Sequence, residues 1–372
     1  MVSCPIDRPA SRLYNRLQNN ALASSPPFHF KERQIKEDSD MVNRNYYGHD
    51  TQFCGVEEHR LVGGKGDGMR LFQVRNGSGL EFTVSADRAA DISRLSFRGV
   101  SLNYMGPAGY VAPAYYDQPG FGFLKSFTCG FLTTCGLQSI GTPSVDGDVP
   151  CPLHGTISNT PADQIYYTEE DGKIQIHAKI NDMEIFKQKL SLTRTISCEY
   201  GSNKLTIEDT IKNEGSADEP FMLLYHMNMG YPLLSEHAKL KVSSKNVIPR
   251  DPRAAEDLDT WDQMLTPLPN FQEQCYYHEF EDHAACAKLY NPDVNVGLAI
   301  RWDEKEIPYM TEWKMMGERD YVLGLEPCIS KLEGRAELRK NGALHFLKPG
   351  EVKNYKIEVE CFDSEADWEA AK

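Results

Sequence analysis

Alternation of apolar and polar residues with a period of two runs through most of this chain and restricts its fold more than any other feature. Residues 71–75 and 80–84 alternate in this way on either side of an Asn76-Gly77-Ser78-Gly79 turn, which predicts a β-hairpin. After residue 160, short alternating runs recur at intervals of roughly eight to twelve residues, as in a sandwich or barrel. Because no helical pattern alternates with these runs, a TIM barrel or a Rossmann sheet is disfavoured.

The later strands are predicted from the same pattern, with turns rich in Asp, Asn and Gly between them. They cover residues 164–168, 173–180, 184–198, 204–212, 221–225, 286–290, 296–302, 309–314, 321–325, 343–347 and 352–360. The run 221–225 is continuously apolar, which is typical of a strand covered on both faces, and it leads to His226 at its end. Residues 249–275 are rich in Pro and Asp and predict a long loop over one sheet edge. Within the β region and tail, only residues 364–371 look helical.

The chain of 372 residues is long enough to bury a large core. Its pattern divides it into a polar N-terminal arm (residues 1–40), one all-β domain (residues 41–362) and a C-terminal tail (residues 363–372). This division is a prediction: residues 1–40 are mixed and polar, the period of two begins at about Leu71, and the last alternating strand ends near residue 362.

Charge and composition exclude several classes of partner. Acidic residues outnumber basic ones 54 to 40, for a formal charge of −14, which disfavours nucleic acids and anionic membrane surfaces. No run of about 18 apolar residues is present, and the first residues lack the order of a secretory signal, so we expect a cytoplasmic protein. The ten cysteines are then read as reduced thiols; none form a Cys-x-x-Cys pair, and we expect no metal site.

Three polar motifs stand out as candidates for chemistry. His154 lies between Pro152 and Gly155, so its ring is carried by a stiff loop that turns closely, as a small-molecule site requires. A histidine in a loop is more often structural when it stands alone. Here it is joined by His226, after the apolar run, and by Glu326 in a Gly-Leu-Glu-Pro setting.

In that order on an all-β chain, these motifs resemble the galactose-mutarotase-like, or aldose 1-epimerase-like, superfamily. The resemblance is closest to a branch described as a domain of unknown function, and it covers about residues 41–362. The segments that carry it are Gly77-Ser-Gly-Leu80, Asp87-Arg88 with Asp91, Thr134-Cys-Gly-Leu137, His154-Gly with Ser158-Asn159 and Pro161-Ala162, Gly230-Tyr-Pro-Leu233, and Gly324-Leu-Glu-Pro327.

The resemblance implies an antiparallel β supersandwich with a sugar cleft on one sheet face. It also implies acid–base ring opening, in which Glu326 takes the proton of the C1 hydroxyl and His226 protonates the ring oxygen. His154 would assist at the ring oxygen, and all three side chains would line one cleft. A carboxylate and an imidazole both work near neutral pH after modest tuning, so the reaction needs no cofactor.

Sugar-binding residues are carried over in the same way. Arg88 resembles the arginine that binds the sugar and is expected at the rim of the cleft. Asp91, Asn228, Trp313 and Lys314 are further candidates for the cleft, although Trp313 is equally consistent with a core position.

The chain also departs from well-known mutarotases. Its first motif has one histidine and one glycine, and His226 is followed by Met-Asn-Met-Gly where those enzymes have Pro-Tyr-Phe-Asn. Lys314 and Arg319 leave room for an anionic group on the sugar.

Three classes of function therefore stay open: an aldose 1-epimerase, another sugar isomerase or epimerase on the same scaffold, and a non-catalytic carbohydrate-binding module. The partner in each case is a small-molecule sugar. The sequence indicates neither which sugar it is nor the oligomeric state.

Overall fold

The computed structural model describes residues 46–281 and 285–371, so the predicted N-terminal arm (residues 1–40) lies outside the described residues. Within the described ranges, 24 β-strands and three short α-helices form the regular structure, together with a few 3₁₀ turns. No helix in these ranges is both long and apolar enough to cross a membrane. The prediction of an all-β, antiparallel fold is confirmed.

The first sheet has five antiparallel strands in chain order. They are β1 (Cys54–Arg60), β2 (Arg70–Asn76), β3 (Leu80–Ser85), β4 (Asp91–Phe97) and β5 (Val100–Ser101). The predicted hairpin is confirmed as β2–β3, and the Asn76 side chain accepts hydrogen bonds from the amide and hydroxyl of Ser78 in its turn.

The remaining strands form two large sheets and two short ribbons. In chain order they are β6 (Tyr104–Met105), β7 (Cys129–Gly130), β8 (Leu132–Leu137), β9 (Ser144–Asp146), β10 (Val149–Cys151), β11 (Gln164–Glu170), β12 (Lys173–Met183), β13 (Lys189–Glu199), β14 (Lys204–Asn213), β15 (Glu219–Met229), β16 (Lys239–Val242), β17 (Asn246–Pro249), β18 (Gln274–Glu279), β19 (Ala285–Asn291), β20 (Val296–Trp302), β21 (Tyr309–Met316), β22 (Tyr321–Cys328), β23 (His345–Leu347) and β24 (Val352–Phe362). An eight-stranded sheet has the order β11-β12-β13-β14-β24-β20-β19-β16. A seven-stranded sheet has the order β17-β18-β21-β22-β15-β23, with β8 also paired to β15.

Alternation along β15 and β22 decides which side chains enter the core. Tyr225 and Met227 of β15, and Leu323 and Leu325 of β22, belong to the main hydrophobic core, which is shared by the large sheets. Since successive side chains of a strand point to opposite faces, the residues between them lie on the other face of the seven-stranded sheet. This face, which carries His226, is called the cleft face below.

Several predicted boundaries were wrong in an informative way. β15 continues to Met229 and β22 to Cys328, so His226 and Glu326 lie within strands, whereas His226 was predicted at a strand end. The segment 249–275 contains helix α1 (Pro252–Glu256) besides its loops, and α2 (Arg335–Lys340) was not predicted. The C-terminal helix is confirmed as α3 (Glu365–Ala370).

A buried ion cluster connects the three larger sheets. Arg194 of β13 is fully buried and binds both carboxylate oxygens of Asp209 on β14, at 2.8 and 2.7 Å. It also donates to Asp91 of β4 at 2.7 Å and to the Thr134 hydroxyl of β8 at 2.8 Å. The Tyr225 hydroxyl on β15 donates to Asp209 at 2.9 Å. Both carboxylates are thus compensated by one cation whose donors are fully used.

Candidate active site

A buried carboxyl–imidazole pair lies at the centre of the cleft face. Met227 pairs with Leu325 in the β15–β22 ladder, which brings His226 and Glu326 side by side. His226 Nε2 and Glu326 Oε1 are 3.2 Å apart, and the side chains are only 4% and 1% exposed. Their angle is not that of a hydrogen bond, so Glu326 Oε1 has no hydrogen-bond partner in the described part of the chain.

Gly324 makes room for the Glu326 carboxyl group. A Cβ atom at this glycine would lie 2.4 Å from Glu326 Oε1 and 3.0 Å from the Cβ of Trp313. The carboxyl therefore folds over the bare backbone of its own strand. Pro327 follows directly and restricts the backbone of Glu326 to an extended form. The Gly-Leu-Glu-Pro sequence thus fixes both the space and the direction of the side chain.

His154 approaches the pair from the loop after β10. Its backbone has a φ of 57°, and its carbonyl accepts a hydrogen bond of 3.0 Å from the Gly136 amide. A Cβ at Gly155 would lie 2.1 Å from the Gly136 carbonyl oxygen, so this close approach requires glycine. The imidazole rings of His154 and His226 have centroids 5.3 Å apart.

Aromatic rings surround the two histidines. Phe127 and Trp313 contact His226 edge-on, with centroid distances of 5.1 and 5.4 Å. Phe123 lies 5.3 Å from His154. The indole nitrogen of Trp313 donates a hydrogen bond of 2.8 Å to the Glu273 carboxylate, so a partly buried aromatic ring is held in place beside the pair.

Four buried polar atoms of this site lack hydrogen-bond partners among the described residues. They are His154 Nδ1, His226 Nδ1, Asn228 Oδ1 and Glu326 Oε1. Leaving a buried polar atom unpaired costs about 1–3 kcal/mol, so such atoms are rare unless a function requires them. Their concentration at one place is the pattern expected where hydroxyl groups of a ligand supply the missing bonds.

Burial raises the pKa of Glu326 well above its ordinary value of 4.5, and the nearby Glu273 carboxylate acts in the same direction. The positive charge of Arg250 partly opposes this rise. Leu323 and Leu325 flank Glu326 in sequence, but they do not cause this rise. These leucines point into the core on the other face, so the cause is instead the burial of the carboxyl on the cleft face.

Burial also lowers the pKa of His226 well below 6.5, and the neighbouring His154 adds to this effect. The side chain of Asn228 acts in the opposite direction. Both shifts favour the pair in which Glu326 is a neutral acid and His226 a neutral base. This neutral pair contains the same number of protons as the ion pair of carboxylate and imidazolium, so one proton can move within the site without exchange with solvent.

His154 should make folding stability depend on pH. Its burial, with Arg250 adding to it, lowers the pKa of the ring from 6.5 to about 4. Between these values the unfolded chain binds more protons, so the free energy of unfolding should fall by up to about 3 kcal/mol as pH drops from 6.5 to 4. Urea unfolding of the wild type and His154→Gln across this range measures the effect, because the variant lacks this contribution. Equal slopes for the two proteins would contradict it.

Three predicted cleft residues lie elsewhere. Arg88 was expected at the rim, but it is 5% exposed, and its guanidinium donates to the carbonyl oxygens of Val111, Ser126 and Ser158. It holds loops together, and burial lowers its pKa to about 10. Asp91 belongs to the Arg194 ion cluster and is not a cleft residue either.

Lys314 follows Trp313 in β21 and therefore points to the core side of the sheet. It is 2% exposed, and its ammonium group donates to the carbonyl oxygens of Thr260 and Trp261 at 3.1 Å each. Arg319 lies exposed in the turn between β21 and β22. By contrast, Asn228 and Trp313 both pair with Gly324 and share the cleft face with Glu326.

The sequence reading missed four residues at this site. Phe123 and Phe127 come from the loop between β6 and β7, and Arg250 and Glu273 lie at the two ends of the β17–β18 connection. Loop residues carry no periodic signal. Only the strand pairing brings Arg250 opposite Cys275 and thus onto the cleft face.

A family model described as "Domain of unknown function (DUF4432)" matches residues 66–361. A Klebsiella pneumoniae protein, provisionally named aldose 1-epimerase, has a TM-score of 0.80 at 25% identity, and the alignment covers 85% of each chain. A galactose mutarotase-like protein from Clostridium acetobutylicum has a TM-score of 0.63 at 13% identity, covering 83% of this chain and 99% of that one.

A galactose 1-epimerase from Lactobacillus acidophilus has a TM-score of 0.57 at 12% identity, and the alignment covers 84% of this chain and 100% of that one. The latter two likenesses concern the fold alone. No curated protein matches the chain in sequence.

Proposed function

This chain belongs to the DUF4432 family of galactose-mutarotase-like proteins, and from that premise we propose that it is a carbohydrate-active isomerase, an aldose 1-epimerase that interconverts sugar anomers. The observation that carries the proposal is the buried contact of 3.2 Å between Glu326 and His226. Two titratable groups of opposite chemical type, facing each other on a rigid sheet beside unpaired polar atoms, suit acid–base catalysis better than simple binding.

In the proposed reaction, Glu326 takes the proton of the C1 hydroxyl while His226 gives a proton to the ring oxygen. The bond between C1 and the ring oxygen breaks, and the C1 hydroxyl becomes the aldehyde. Rotation about the C1–C2 bond then presents the other face of the aldehyde, and the reverse proton transfers close the ring. Starting from the neutral pair, the same two groups serve with their roles exchanged, which a reversible reaction permits.

Ring opening leaves the total number of protons on Glu326 and His226 unchanged. Ring opening converts a carboxylate and an imidazolium into a neutral acid and a neutral base, and closure restores them. The burial that favours the neutral pair therefore favours the state in which the open-chain aldehyde is held. His154 would donate to the ring oxygen or orient it, and Trp313 would pack against the apolar face of the sugar.

A screen of aldoses tests the proposal directly. Exchange between α and β anomers is followed by anomer-resolved NMR with the full-length protein, and at least one sugar should exchange faster than in buffer alone. Incorporation of solvent deuterium at C2 is measured in the same samples. Deuterium at C2 would indicate a ketose–aldose isomerase or an epimerase beside a carbonyl, because mutarotation leaves that C–H bond intact. Acceleration of neither process would reject both catalytic functions.

Gly324→Ala should reduce turnover without unfolding the protein. Its Cβ would lie 2.4 Å from Glu326 Oε1, so the carboxyl must move, and displacement of a reacting group by about 1 Å can cost about 10²-fold in rate. The control is Gly48→Ala, because a Cβ at Gly48 meets nothing within 4 Å. Thermal unfolding verifies that both variants fold. Unchanged anomer exchange in folded Gly324→Ala would show that the observed carboxyl position is unimportant.

A further inference from the structure

A cation that the reaction itself does not use lies on the cleft face. Arg250 follows β17 directly, and its amide donates to the Cys275 carbonyl on β18 at 2.9 Å. Cys275 pairs with Trp313, and Trp313 pairs with Gly324 beneath the Glu326 carboxyl. These pairings place Arg250 in the row of side chains that leads across the sheet to the reacting pair.

The guanidinium of Arg250 makes no close ion pair within residues 46–281 and 285–371, although the Glu273 and Asp251 carboxylates lie near enough to act on its charge. In the described part of the chain, its only side-chain hydrogen bond is from Nη1 to the Cys275 sulfur, a weak acceptor, at 3.4 Å. Other arginines of the fold bind carboxylates closely: Arg194 binds Asp209, and Arg335 binds Asp146, each at 2.7 Å. A partly buried guanidinium with most of its five donors unused is costly unless a ligand completes it.

The position of this group matches the size of a sugar. The contact with Cys275 places the guanidinium over β18, two strands from Glu326 on β22, which is about 10 Å at ordinary strand spacing. The Trp313 ring lies between them on β21. A pyranose ring over Trp313 could therefore place its reacting carbon at Glu326 while a substituent on its far side meets Arg250.

We propose that Arg250 binds a carboxylate on the substrate, so that the sugar is a monoanion of the hexuronate class. The inference rests on the proposed function, since it names the substrate of the same site. A guanidinium matches a carboxylate with two parallel hydrogen bonds. Lys331 is already paired with Glu279 at 3.0 Å, and Lys314 points into the core, so among the described residues Arg250 is the cation available to the substrate. A phosphate dianion would be undercompensated there.

The turnover experiment compares D-glucuronate and D-galacturonate with D-glucose and D-galactose, using wild type, Arg250→Met and Arg250→Lys. The wild type should prefer a uronate in kcat/KM by at least about tenfold. Arg250→Met should raise KM for that uronate by about 10- to 100-fold, the usual effect of losing a charged hydrogen bond. The loss for the neutral sugar should be clearly smaller, because there the variant removes only the effect of the arginine charge on Glu326 and His154. Arg250→Lys keeps the charge and should retain part of the preference.

Arg253→Met is the matched control, because Arg253 is three residues away and pairs with Glu256 and Asp257 outside the cleft. It should not alter the preference. Equal losses on charged and neutral sugars in Arg250→Met, or a wild type that prefers neutral sugars, would overturn the inference while leaving the epimerase function intact. A preference for glucose 6-phosphate over both uronates would replace the carboxylate with a phosphate and also reject it.

A binding measurement tests the Arg250 subsite independently of the proposed epimerase activity. Methyl β-D-glucuronide cannot open its ring, so its binding by calorimetry does not depend on catalysis. It should bind the wild type and Glu326→Gln, and at least about tenfold more weakly to Arg250→Met. Binding of this kind without anomer exchange of any sugar would reject the epimerase and keep the subsite. Absence of binding to the wild type would reject the subsite.

Discussion

Glu326→Gln is expected to lower the rate of anomer exchange by about 10²–10⁴-fold while the protein stays folded and still binds sugar. Glutamine keeps the shape and hydrogen-bonding reach of glutamate but can neither accept nor donate the proton in transit. The loss should appear in kcat rather than in KM, because the substitution removes an interaction that develops in the transition state. Anomer-resolved NMR at saturating sugar measures it.

His226→Asn should lower turnover comparably, and the double variant should lose much less than the product of the two losses. In the proposed mechanism each ring opening needs both proton transfers, one at Glu326 and one at His226, so either substitution alone already stops it. Multiplicative losses would indicate two independent contributions and would contradict the coupled mechanism.

The fold supplies a matched control for these variants. Glu312 and His278 form a second buried carboxyl–imidazole contact, at 3.1 Å, and both side chains are 0% exposed. Glu312 belongs to β21, whose alternation places it on the face opposite Trp313. Glu312→Gln therefore makes the same chemical change at the same burial without touching the cleft, and turnover should be nearly unchanged. An equal loss in both variants would mean that the effect is structural.

The second large effect concerns stability. Arg194→Met should lower the free energy of unfolding by about 3–5 kcal/mol, because it leaves Asp91 and Asp209 buried without their cation. Methionine fills similar volume, so most of the loss is electrostatic. Chemical unfolding at neutral pH measures it. Burial already raises the pKa of Asp91 to about 6 with Arg194 opposing the rise, so removal of the arginine should raise it further.

Arg98→Met is the reference for this prediction. Arg98 pairs with Asp363 at 2.8 Å, but the two side chains are 59% and 41% exposed, so the expected loss is at most about 1 kcal/mol. The loss of unfolding free energy in Arg194→Met should become smaller on mild acidification, because Asp91 and Asp209, left without their cation, become protonated and neutral. A loss equal to that of Arg98→Met would show that the cluster contributes no more than a surface pair.

Much of the fold could be predicted because the runs of alternating apolar and polar residues do form strands in the structure. The hairpin of β2 and β3 and most later strands lie close to their predicted positions. Helix α2 was missed because its six residues, Arg335–Lys340, are too short for a periodic signal. The strand predicted from residue 184 begins at Lys189, since the Glu184 amide and the Gln188 carbonyl close a turn first.

The candidate site could be predicted only where a motif or a strand carried it. His154, His226 and Glu326 were taken from family motifs, and the structure brings them together on one face, although their roles stay predictions. Arg88 and Asp91 also come from a motif, but their partners, such as Arg194, lie far along the chain, and no local pattern reveals them. Lys314 was predicted in the cleft, but alternation along β21 places its neighbour Trp313 on the cleft face and Lys314 on the core face.

The placement of the reacting pair within strands, and of its surroundings on loops, divides the molecule into two parts that can change separately. His226 and Glu326 are fixed by ladders on both sides, whereas Phe123, Arg250 and Glu273 depend on connections that the ladders tolerate in many lengths. Under the proposed function, variation in those connections would change which sugar is bound and leave the positions of His226 and Glu326 unchanged. Libraries confined to residues 105–125 and 250–273 would therefore test, under the same proposal, whether substrate preference can change while the carboxyl–imidazole pair stays in place.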